Sequence, residues 1–500
     1  MGSEMSQYHV RKVNKPIDGR VRVPGSKSIT NRALLISALS DIRTKLQGVL
    51  FSDDTVVFTQ ALKDLGFPVE VNEDPDPDKC AITLWGDESI KSVRDNRFHE
   101  GQDGAKTDKN EMTGTDHIPV KKGRVYVGSA GTAARFITAM LALSEGAYEI
   151  QASPQMKKRP MKPLFDALAS LGAGFEYMEE EGHLPVKVTG CFAGPEKEKE
   201  FPGEVFIDAD QSTQFLSALL MLSPLIAERT EKPFKIFVEG SRGKGSYVLM
   251  TLRVMEQFGV NVSEVPGNSG GKISFVTEPG QHYRLMSADE KPEDSLCKND
   301  RSDSAVYDVE PDVSAAGYFF AAAAVTGGRV LLEEVHRYSM QGDIRLLDIL
   351  EKMGCEVQDT PEGIVLIGAG TGKLTGIDAD MRDFSDQTMT LAAIAPFCSS
   401  EVNIRNVAHI RKQESDRIHG MVTELKKMGV EAQEREDGLL IRPAGPEGIK
   451  PVTVHTYDDH RMAMAFAVTG LAADGIVIDN PECCSKTFKD YFSVLEGLTG

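Results

Sequence analysis

The fold is decided by the stretch Val23-Pro24-Gly25-Ser26-Lys27-Ser28-Ile29-Thr30-Asn31-Arg32. A β-compatible run, Gly19–Val23, leads into it, and Pro24-Gly25 predicts a turn. Ser26 to Ser28 then open an apolar helix, because serine hydroxyls satisfy the unpaired amides of a first turn. Such an end carries partial positive charge. Taken alone, the segment is either a capped surface helix or an anion site containing Lys27 and Arg32.

The same arrangement recurs five times along the chain. Each time a polar cluster opens a helix of small and apolar residues. These clusters are Ser129–Thr132, Gln211–Gln214, Asp312–Ser314, Asp386–Thr388 and Asp459–Arg461. Helices that are apolar nearly all round are buried ones. If the six helices bundle in parallel, their polar N-termini converge on a cleft suited to anions.

A second pattern alternates with the first. An amphipathic helix ends in a hydrophobic residue followed by glycine, a typical helix C-terminus, and a β-like run follows. The glycines are Gly66, Gly172, Gly259, Gly354 and Gly429, with a weaker sixth ending between Phe488 and Gly497. The two patterns together predict six copies of one unit that contains two helices.

The length of 500 residues predicts two or more domains. Three repeat units precede residue 310 and three follow it, which predicts a domain of residues 1–22 plus 311–500 and a domain of residues 23–310. The N-terminal strand could pair with either half. Polar stretches at about 86–122 and 282–305 lack periodicity and are predicted to be insertions.

Composition excludes several classes of protein. The net charge of −19 argues against nucleic acid or an anionic membrane as a partner. The seven scattered cysteines predict reduced thiols in the cytoplasm. Gly368–Lys373 looks like a phosphate loop, but Ile367 and Leu374 stand where that motif needs Gly and Ser or Thr. No metal-binding or nucleophile motif occurs, so neither a metal nor a cofactor is predicted.

Two charged runs, Lys157–Pro160 and Arg411–Arg417, are each typical of a solvated surface when taken singly. A third, Asp459–Arg461, could be a helix cap, but charges that lead into an apolar helix are costly unless they are paired or bound to a ligand. Together with the helix N-termini they supply many cations, and Asp386 and Glu414 could transfer protons. The candidate anion ligands are Lys27, Arg32, Arg159, Arg417, Arg461 and Lys486. The residues therefore predict an enzyme that acts on small phosphorylated or carboxylated molecules by acid–base and electrostatic catalysis.

These residues resemble the 3-phosphoshikimate 1-carboxyvinyltransferase (EPSP synthase) family of enolpyruvyl transferases. The likeness runs from about residue 8 to the C-terminus, without the two polar stretches. It is carried by Pro24–Arg32, Ala130–Arg135, Arg159-Pro160, Glu414–Arg417, Asp458–Met464 and Lys486–Phe488. The resemblance implies an α/β fold of two domains. Each would hold three βαβαββ units in an inside-out barrel, with helix N-termini facing the interdomain cleft.

The resemblance also implies a reaction. The enolpyruvyl group of phosphoenolpyruvate would pass to the 5-hydroxyl of shikimate 3-phosphate with release of phosphate, in the shikimate pathway of aromatic amino acid biosynthesis. The reaction would be a metal-independent addition and elimination, catalysed by a cytoplasmic monomer. The runner-up is the sister transferase that acts on UDP-N-acetylglucosamine, but no cysteine here has that enzyme's sequence context.

The family pattern assigns residues to three roles. Shikimate 3-phosphate would be bound by Lys27, Ser28, Arg32, Ser212, Thr213, Gln214, Tyr247, Asp386 and Gln413. Phosphoenolpyruvate would be bound by Lys27, Gly131, Arg159, Gln214, Arg417, Arg461 and Lys486. The catalytic groups would be Lys27, Asp386, Glu414 and His460. Asp386 would accept the hydroxyl proton, and Glu414, with Lys27 as a candidate partner, would move the proton at the methylene carbon.

The sequence departs from the family pattern at several positions. Gln413 stands where many members have a lysine, and Lys412 beside it is a candidate replacement for that charge. Glycine at position 131 predicts sensitivity to the inhibitor glyphosate, although Phe136 stands nearby where many members have proline. Other departures are Ser129, Thr213 and His409.

Overall fold

The computed structural model describes residues 7–40, 42–74, 76, 79–84, 118–193, 201–240, 243–266, 273–285 and 304–499. Most of the two predicted insertions, and Cys297, lie outside these ranges. The chain divides into two compact units. Unit 1 comprises Met1–Ser26 and Glu310–Gly500, and unit 2 comprises Lys27–Val309. Unit 1 is thus built from both ends of the chain, and unit 2 from its middle.

The helices in the described ranges are short to medium in length. The α-helices are Lys27–Ala38 (α1), Asp53–Asp64 (α2), Gly131–Ala142 (α3), Pro154–Lys157 (α4), Lys162–Ser170 (α5), Thr213–Thr230 (α6), Ser246–Gln257 (α7), Val313–Thr326 (α8), Leu346–Lys352 (α9), Thr388–Ile394 (α10), Arg417–Lys427 (α11), His460–Ala472 (α12) and Tyr491–Thr499 (α13). The 3-10 helices are Gly342–Arg345, Arg382–Gln387, Ala395–Phe397, Ala408–Lys412, Pro446–Gly448 and Pro481–Lys486. In the part of the chain that the structure describes, no helix has the length and apolar character needed to cross a membrane.

The strands are also short. They are Tyr8–His9 (β1), Asp18–Val21 (β2), Arg43–Gln47 (β3), Val69–Asn72 (β4), Ala81–Leu84 (β5), Lys122–Tyr126 (β6), Ala147–Gln151 (β7), Gly174–Tyr177 (β8), Val186–Thr189 (β9), Glu204–Asp208 (β10), Phe234–Glu239 (β11), Ser263–Pro266 (β12), Ile273–Thr277 (β13), Ser304–Asp308 (β14), Arg329–Glu333 (β15), Glu356–Thr360 (β16), Gly363–Ile367 (β17), Asp378–Asp380 (β18), Val402–Arg405 (β19), Ala432–Arg435 (β20), Gly438–Ile441 (β21), Val452–Val454 (β22) and Ile476–Ile478 (β23).

The sheets of both units follow one plan. In the sheet β6-β7-β9-β8 the pair β6 and β7 is parallel and the other pairs are antiparallel. The sheets β10-β11-β13-β12 and β18-β19-β21-β20 repeat this plan. A parallel pair needs a crossover connection, and α3 and α6 supply it within their sheets. The predicted α/β repeat is therefore present in these sheets.

Two further sheets take their first strand from a distant part of the chain. In unit 1, β2 pairs in parallel with β15, and in unit 2, β14 pairs in parallel with β3. The chain therefore leaves unit 1 after β2 and returns to it after β14. The last sheet, β1-β23-β22, contains the other N-terminal strand. Both N-terminal strands thus pair within unit 1, which decides an alternative that the sequence left open.

The helices that follow the polar clusters are buried, as predicted. Every residue of α3 and of α12 is buried, and alanine-rich α8 is buried over nearly its whole length. The side chains of Ser212, Asp312 and Asp459 each accept a hydrogen bond from an amide of the first turn. The predicted cluster Ser129–Thr132 spans the start of α3, but the N-cap there is Ala130, which has no side-chain cap hydrogen bond.

Five glycines end the amphipathic helices as predicted. They have positive φ between 79° and 105° and directly follow the C-caps of α2, α5, α7, α9 and α11. The predicted sixth ending is wrong, because Gly497 lies inside α13. Buried Tyr491, Leu495 and Leu498 continue an apolar stripe at helical spacing past this glycine, which favours a continuous helix.

The ends of both predicted insertions are ordered parts of unit 2. Ile118 is buried, the Val120 amide donates to the Leu65 carbonyl at 3.3 Å, and β6 begins at Lys122. In the second stretch Tyr283 is buried, and its hydroxyl donates to the Met221 carbonyl at 2.7 Å. These apolar residues at the ends of the two stretches pack within unit 2, and the polar composition of the stretches did not mark them.

Candidate active site

Arg417 lies at the centre of a buried network of charges in unit 1. Only 2% of its side chain is exposed. Its Nε donates to Asp459 Oδ2 at 2.8 Å, its Nη1 to Asp386 Oδ1 at 3.2 Å, and its Nη2 to Glu414 Oε2 at 2.9 Å. The planar guanidinium of arginine suits this arrangement, since it presents donors in fixed directions to several carboxylates at once.

Two further cations share the carboxylates that Arg417 contacts. Arg461 Nη2 donates to Asp386 Oδ2 at 2.7 Å, and Lys486 Nζ donates to Glu414 Oε1 at 3.1 Å. Asp386 and Glu414 therefore each connect two cations. These four side chains are largely but not fully buried. The structure thus brings together three predicted anion ligands and two predicted proton-transfer groups.

The starts and ends of short elements place these side chains. Asp459 is the N-cap of α12, and Arg417 is the first residue of α11. Asp386 lies in the 3-10 helix that precedes α10, and Lys486 ends the last 3-10 helix. Helix N-termini carry partial positive charge. Together with three cations, they favour an anionic ligand.

The carboxylates hold Arg417 in its charged form. Burial by itself lowers the pKa of Arg417, but the charges of Asp459, Glu414 and Asp386 outweigh burial and raise this pKa above its ordinary value. Removing one member of such a buried network leaves an uncompensated charge, which is strongly destabilising.

Asp343 is a residue of this region that the sequence did not single out. It lies in the 3-10 helix Gly342–Arg345 and is 5% exposed. Burial, and then the nearby charge of Asp386, raise its pKa to about 7. A usable signal was present, since Gly342-Asp343 is a polar turn before the apolar residues that lead into α9, but the run is short and matches no motif.

The remaining predicted residues of unit 1 differ in how closely they approach this network. Gln413 Oε1 accepts a hydrogen bond from Arg417 Nη1. A lysine at position 413 could not accept this bond, so the departure from the family pattern adds a contact within the network. Lys412 is exposed. His460 is buried, with Nδ1 at 3.9 Å from Asp459 Oδ1.

Arg32 is buried inside unit 2. Its Nε donates to Thr251 Oγ1 at 2.8 Å, its Nη1 to the Ser28 carbonyl at 2.8 Å, and its Nη2 to the Tyr247 carbonyl at 3.2 Å. Its Cζ lies 5.7 Å from the ring centroid of buried Phe136. Burial lowers the pKa of Arg32 to about 10. These contacts tie α1 to α7, which the sequence did not predict.

Gly131 begins α3, where two guanidinium groups approach it. A Cβ atom at this position would lie 2.4 Å from Arg135 Nη1 and 2.6 Å from Arg159 Nη1, so any side chain would displace them. Arg135 Nη1 donates to Gln214 Oε1 at 2.7 Å, and Gln214 Nε2 donates to Thr132 Oγ1 at 3.2 Å. The structure thus brings together three predicted phosphoenolpyruvate ligands and adds Arg135, which the prediction omitted.

Other predicted residues of unit 2 also lie at helix starts. Lys27 is the first residue of α1, with Nζ at 3.2 Å from Asp54 Oδ2. Ser212 caps α6, Thr213 is its first residue, and Tyr247 lies in the first turn of α7. Among the residues described in either unit, no group of His, Cys, Asp or Glu could hold a metal ion.

Comparison with known proteins identifies the family. The family model described as EPSP synthase (3-phosphoshikimate 1-carboxyvinyltransferase) matches residues 11–83 and 101–495. The chain belongs to the EPSP synthase family. The EPSP synthase match passes over residues 84–100, most of which fall within the first predicted insertion.

Relatives in the EPSP synthase family cover nearly the whole chain. The 3-phosphoshikimate 1-carboxyvinyltransferase of Trichormus variabilis is 41% identical over 490 residues, or 98% of each protein. That of Vibrio campbellii is 36% identical over 495 residues, which is 99% of this chain and all of the relative. An EPSP synthase structure from Acinetobacter baumannii covers 98% of each chain with a TM-score of 0.71 at 23% identity. The predicted fold class is thereby confirmed.

Proposed function

We propose that this chain transfers the enolpyruvyl group of phosphoenolpyruvate to the 5-hydroxyl of shikimate 3-phosphate. The products are 5-enolpyruvylshikimate 3-phosphate and inorganic phosphate, in the shikimate pathway of aromatic amino acid biosynthesis. Membership of the EPSP synthase family supports this reaction. It does not favour the alternative transfer to UDP-N-acetylglucosamine, because relatives over the whole chain carry the shikimate enzyme's name.

The observation that carries the proposal is the shared network of Asp386 and Glu414 with Arg417, Arg461 and Lys486. Three cations lie within hydrogen-bond distance of two candidate proton-transfer groups. Phosphoenolpyruvate carries a carboxylate and a phosphate, and paired cations suit such a ligand. Catalysis requires the proton-transfer groups to lie beside the bound substrate.

We assign the binding roles as the sequence implied them. Phosphoenolpyruvate binds Lys27, Gly131, Arg159, Gln214, Arg417, Arg461 and Lys486. Shikimate 3-phosphate binds Lys27, Ser28, Arg32, Ser212, Thr213, Gln214, Tyr247, Asp386 and Gln413, and Arg32 also donates hydrogen bonds to the Ser28 and Tyr247 carbonyls. The placement of these side chains at helix N-termini supports the assignment, because first-turn amides also bind anions.

The proposed reaction proceeds in two stages. In the addition, Asp386 takes the proton of the 5-hydroxyl, and the oxygen of that hydroxyl bonds to C2 of phosphoenolpyruvate. Glu414 delivers a proton to C3. In the elimination, Glu414 removes a proton from C3, the vinyl group re-forms and the C–O bond to phosphate breaks. The departing phosphate takes up the proton that Asp386 accepted, which returns both carboxyl groups to their starting states. Lys486 contacts Glu414 and is placed to balance its charge as the proton moves. His460 remains a candidate acid–base group.

The test is phosphate release from phosphoenolpyruvate with no divalent metal and with a chelator present. Shikimate 3-phosphate and UDP-N-acetylglucosamine are compared as acceptors. Release with shikimate 3-phosphate alone is the expected result. Release with the sugar nucleotide alone, or with neither acceptor, would overturn the proposal. We also propose that the protein is cytoplasmic and monomeric. Light scattering tests the oligomeric state, and the expected mass is that of one chain.

A further inference from the structure

A buried polar cluster lies behind the network, and the proposed reaction does not use it. Ser314 Oγ, in the first turn of α8, donates a hydrogen bond to Asp343 Oδ2. Gln387 Nε2 donates to the same oxygen at 3.4 Å and to the Ser314 carbonyl at 3.2 Å. Asp343 is 5% exposed and Gln387 is fully buried. Both donors to the Asp343 carboxyl are uncharged. Burying an ionised carboxylate without a paired cation is costly.

The Gln387 side chain fits closely against α8. A Cβ atom at Gly317 would lie 2.3 Å from Gln387 Oε1, so only glycine leaves room for this amide. The amide is therefore held by Asp343 and Ser314 on one side and by the backbone of α8 on the other. Gln387 directly follows Asp386 in the chain, so fixing its side chain restricts the backbone that carries Asp386.

Asp386 and Gln387 lie at the end of the 3-10 helix Arg382–Gln387. The start of this helix also contacts the segment Gly342–Arg345, which contains Asp343. Arg345 Nη1 donates to Asp383 Oδ2 at 2.9 Å, and Arg345 Cζ lies 5.2 Å from the Phe384 ring centroid. Phe384 has φ −140° and ψ 44°, which interrupts the helical geometry. An irregular backbone needs support from its surroundings. The Gly342–Arg345 segment supports both ends of the Arg382–Gln387 helix, through Asp383 at the start and Gln387 at the end.

We propose that Asp343 is a positioning residue, which orients Asp386 for proton transfer through Ser314 and Gln387. The inference rests on the proposed function, in which Asp386 accepts the hydroxyl proton. Asp343 itself touches no substrate in this account. Its task is to keep the Asp386 carboxyl aligned, since proton transfer requires a hydrogen bond of defined length and direction.

The test compares Asp343→Ala and Asp343→Asn in the full-length enzyme with both substrates. Alanine removes the acceptor of both hydrogen bonds, so we expect kcat to fall about 30-fold, somewhat less than the roughly 100-fold loss that a displacement of about 1 Å can cause in an active site. The KM values should change less than about threefold, because the anion ligands are untouched. Asparagine keeps one oxygen acceptor and should restore kcat to within about fivefold of wild type. A residue that supports only folding would not separate kcat from KM in this way.

Two more variants test the role of Asp343 even where the Asp343→Ala variant fails to fold. Ser314→Ala removes one donor and should lower kcat about fivefold at an unchanged melting temperature. Asp348→Asn is the matched control, because Asp348 is exposed on α9 and paired with Arg337. An active wild type whose Asp343→Ala and Ser314→Ala forms keep kcat within about twofold overturns this inference alone. A wild type that releases no phosphate instead overturns the proposed function.

Discussion

Among single residues, Arg417 is the one on which the network of unit 1 depends most. Arg417→Lys keeps the charge but replaces a planar fork with a point charge that cannot reach all its carboxylate partners. We expect kcat/KM to fall about 100-fold and the free energy of unfolding to fall by about 3 kcal/mol, since a buried carboxylate loses its partner. Steady-state phosphate release and urea denaturation measure the two effects.

The matched control is Arg411→Lys, six residues earlier. Arg411 forms more exposed ion pairs with Asp416 and Glu434. Such pairs contribute little, so we expect a loss below about 1 kcal/mol and nearly unchanged kinetics. Equal effects of the two substitutions would contradict the special position of Arg417.

Asp343 makes a prediction about pH. Its pKa is higher in the folded protein, at about 7, than the ordinary aspartate value of 3.8, chiefly because of burial and then the Asp386 charge. The folded chain therefore binds this proton more tightly, and wild-type stability falls as pH rises from about 4 to about 7. Asp343→Asn does not titrate, so its stability relative to wild type should rise over this window, on the order of 2 kcal/mol.

Thermal unfolding of both proteins between pH 5 and pH 8 measures this difference. Asp348→Asn again serves as the control, and its difference from wild type should stay flat because the side chain is exposed. A flat difference for Asp343→Asn as well would mean that Asp343 is ionised in the folded protein throughout this range.

The sequence could predict contacts of the site between residues that lie close together in the chain, but not contacts between residues that lie far apart. Arg417 is the first residue of α11 and Glu414 lies three positions before it, so the two are close in the sequence itself. The contact of Arg32 with Thr251 joins residues 219 positions apart, and no local pattern marks it. The sequence therefore predicted Arg32 only as a ligand, and its buried contacts with α7 could not be predicted.

At the level of elements, glycine was informative only where the backbone needs it. Gly354 has φ 105°, and a Cβ there would meet its neighbours at an ordinary 3.8 Å. Gly497 lies two residues after Leu495 and inside α13, where its Cβ would meet nothing within 4 Å. A hydrophobic residue near a glycine is thus not enough to predict a helix end, because the apolar stripe of the helix can continue beyond it.

The two glycines give opposite predictions for the same substitution. Gly354→Ala should lower the free energy of unfolding by about 1–2 kcal/mol, since alanine disfavours positive φ. Gly497→Ala should raise it by about 0.5–1 kcal/mol, because alanine is the better helix former. Urea denaturation of both variants at one pH is sufficient. A loss of stability in Gly497→Ala would contradict the helical assignment of this position.

At the level of the whole molecule, the repeats predicted the sheets better than they predicted the chain's path between the units. The predicted repeat fits β6 to β9 because all its strands are consecutive in the sequence. The pairing of β2 with β15 joins Asp18 to Arg329, so the sequence alone left the partner of the N-terminal strand open. Such exchanges depend on which sheet offers a free edge, and hydrophobic periodicity does not report that.

The division into two units makes a prediction about ligand binding. Of the residues proposed to bind shikimate 3-phosphate, Ser28 and Tyr247 belong to unit 2 and Gln413 to unit 1. A ligand that binds only the folded protein stabilises it by about 2.7 kcal/mol at 100 times its Kd. Shikimate 3-phosphate should therefore raise the calorimetric unfolding temperature of both units, whereas UDP-N-acetylglucosamine should raise neither. If the unfolding of one unit keeps its temperature, the residues of that unit do not bind the ligand, and their assigned roles are wrong.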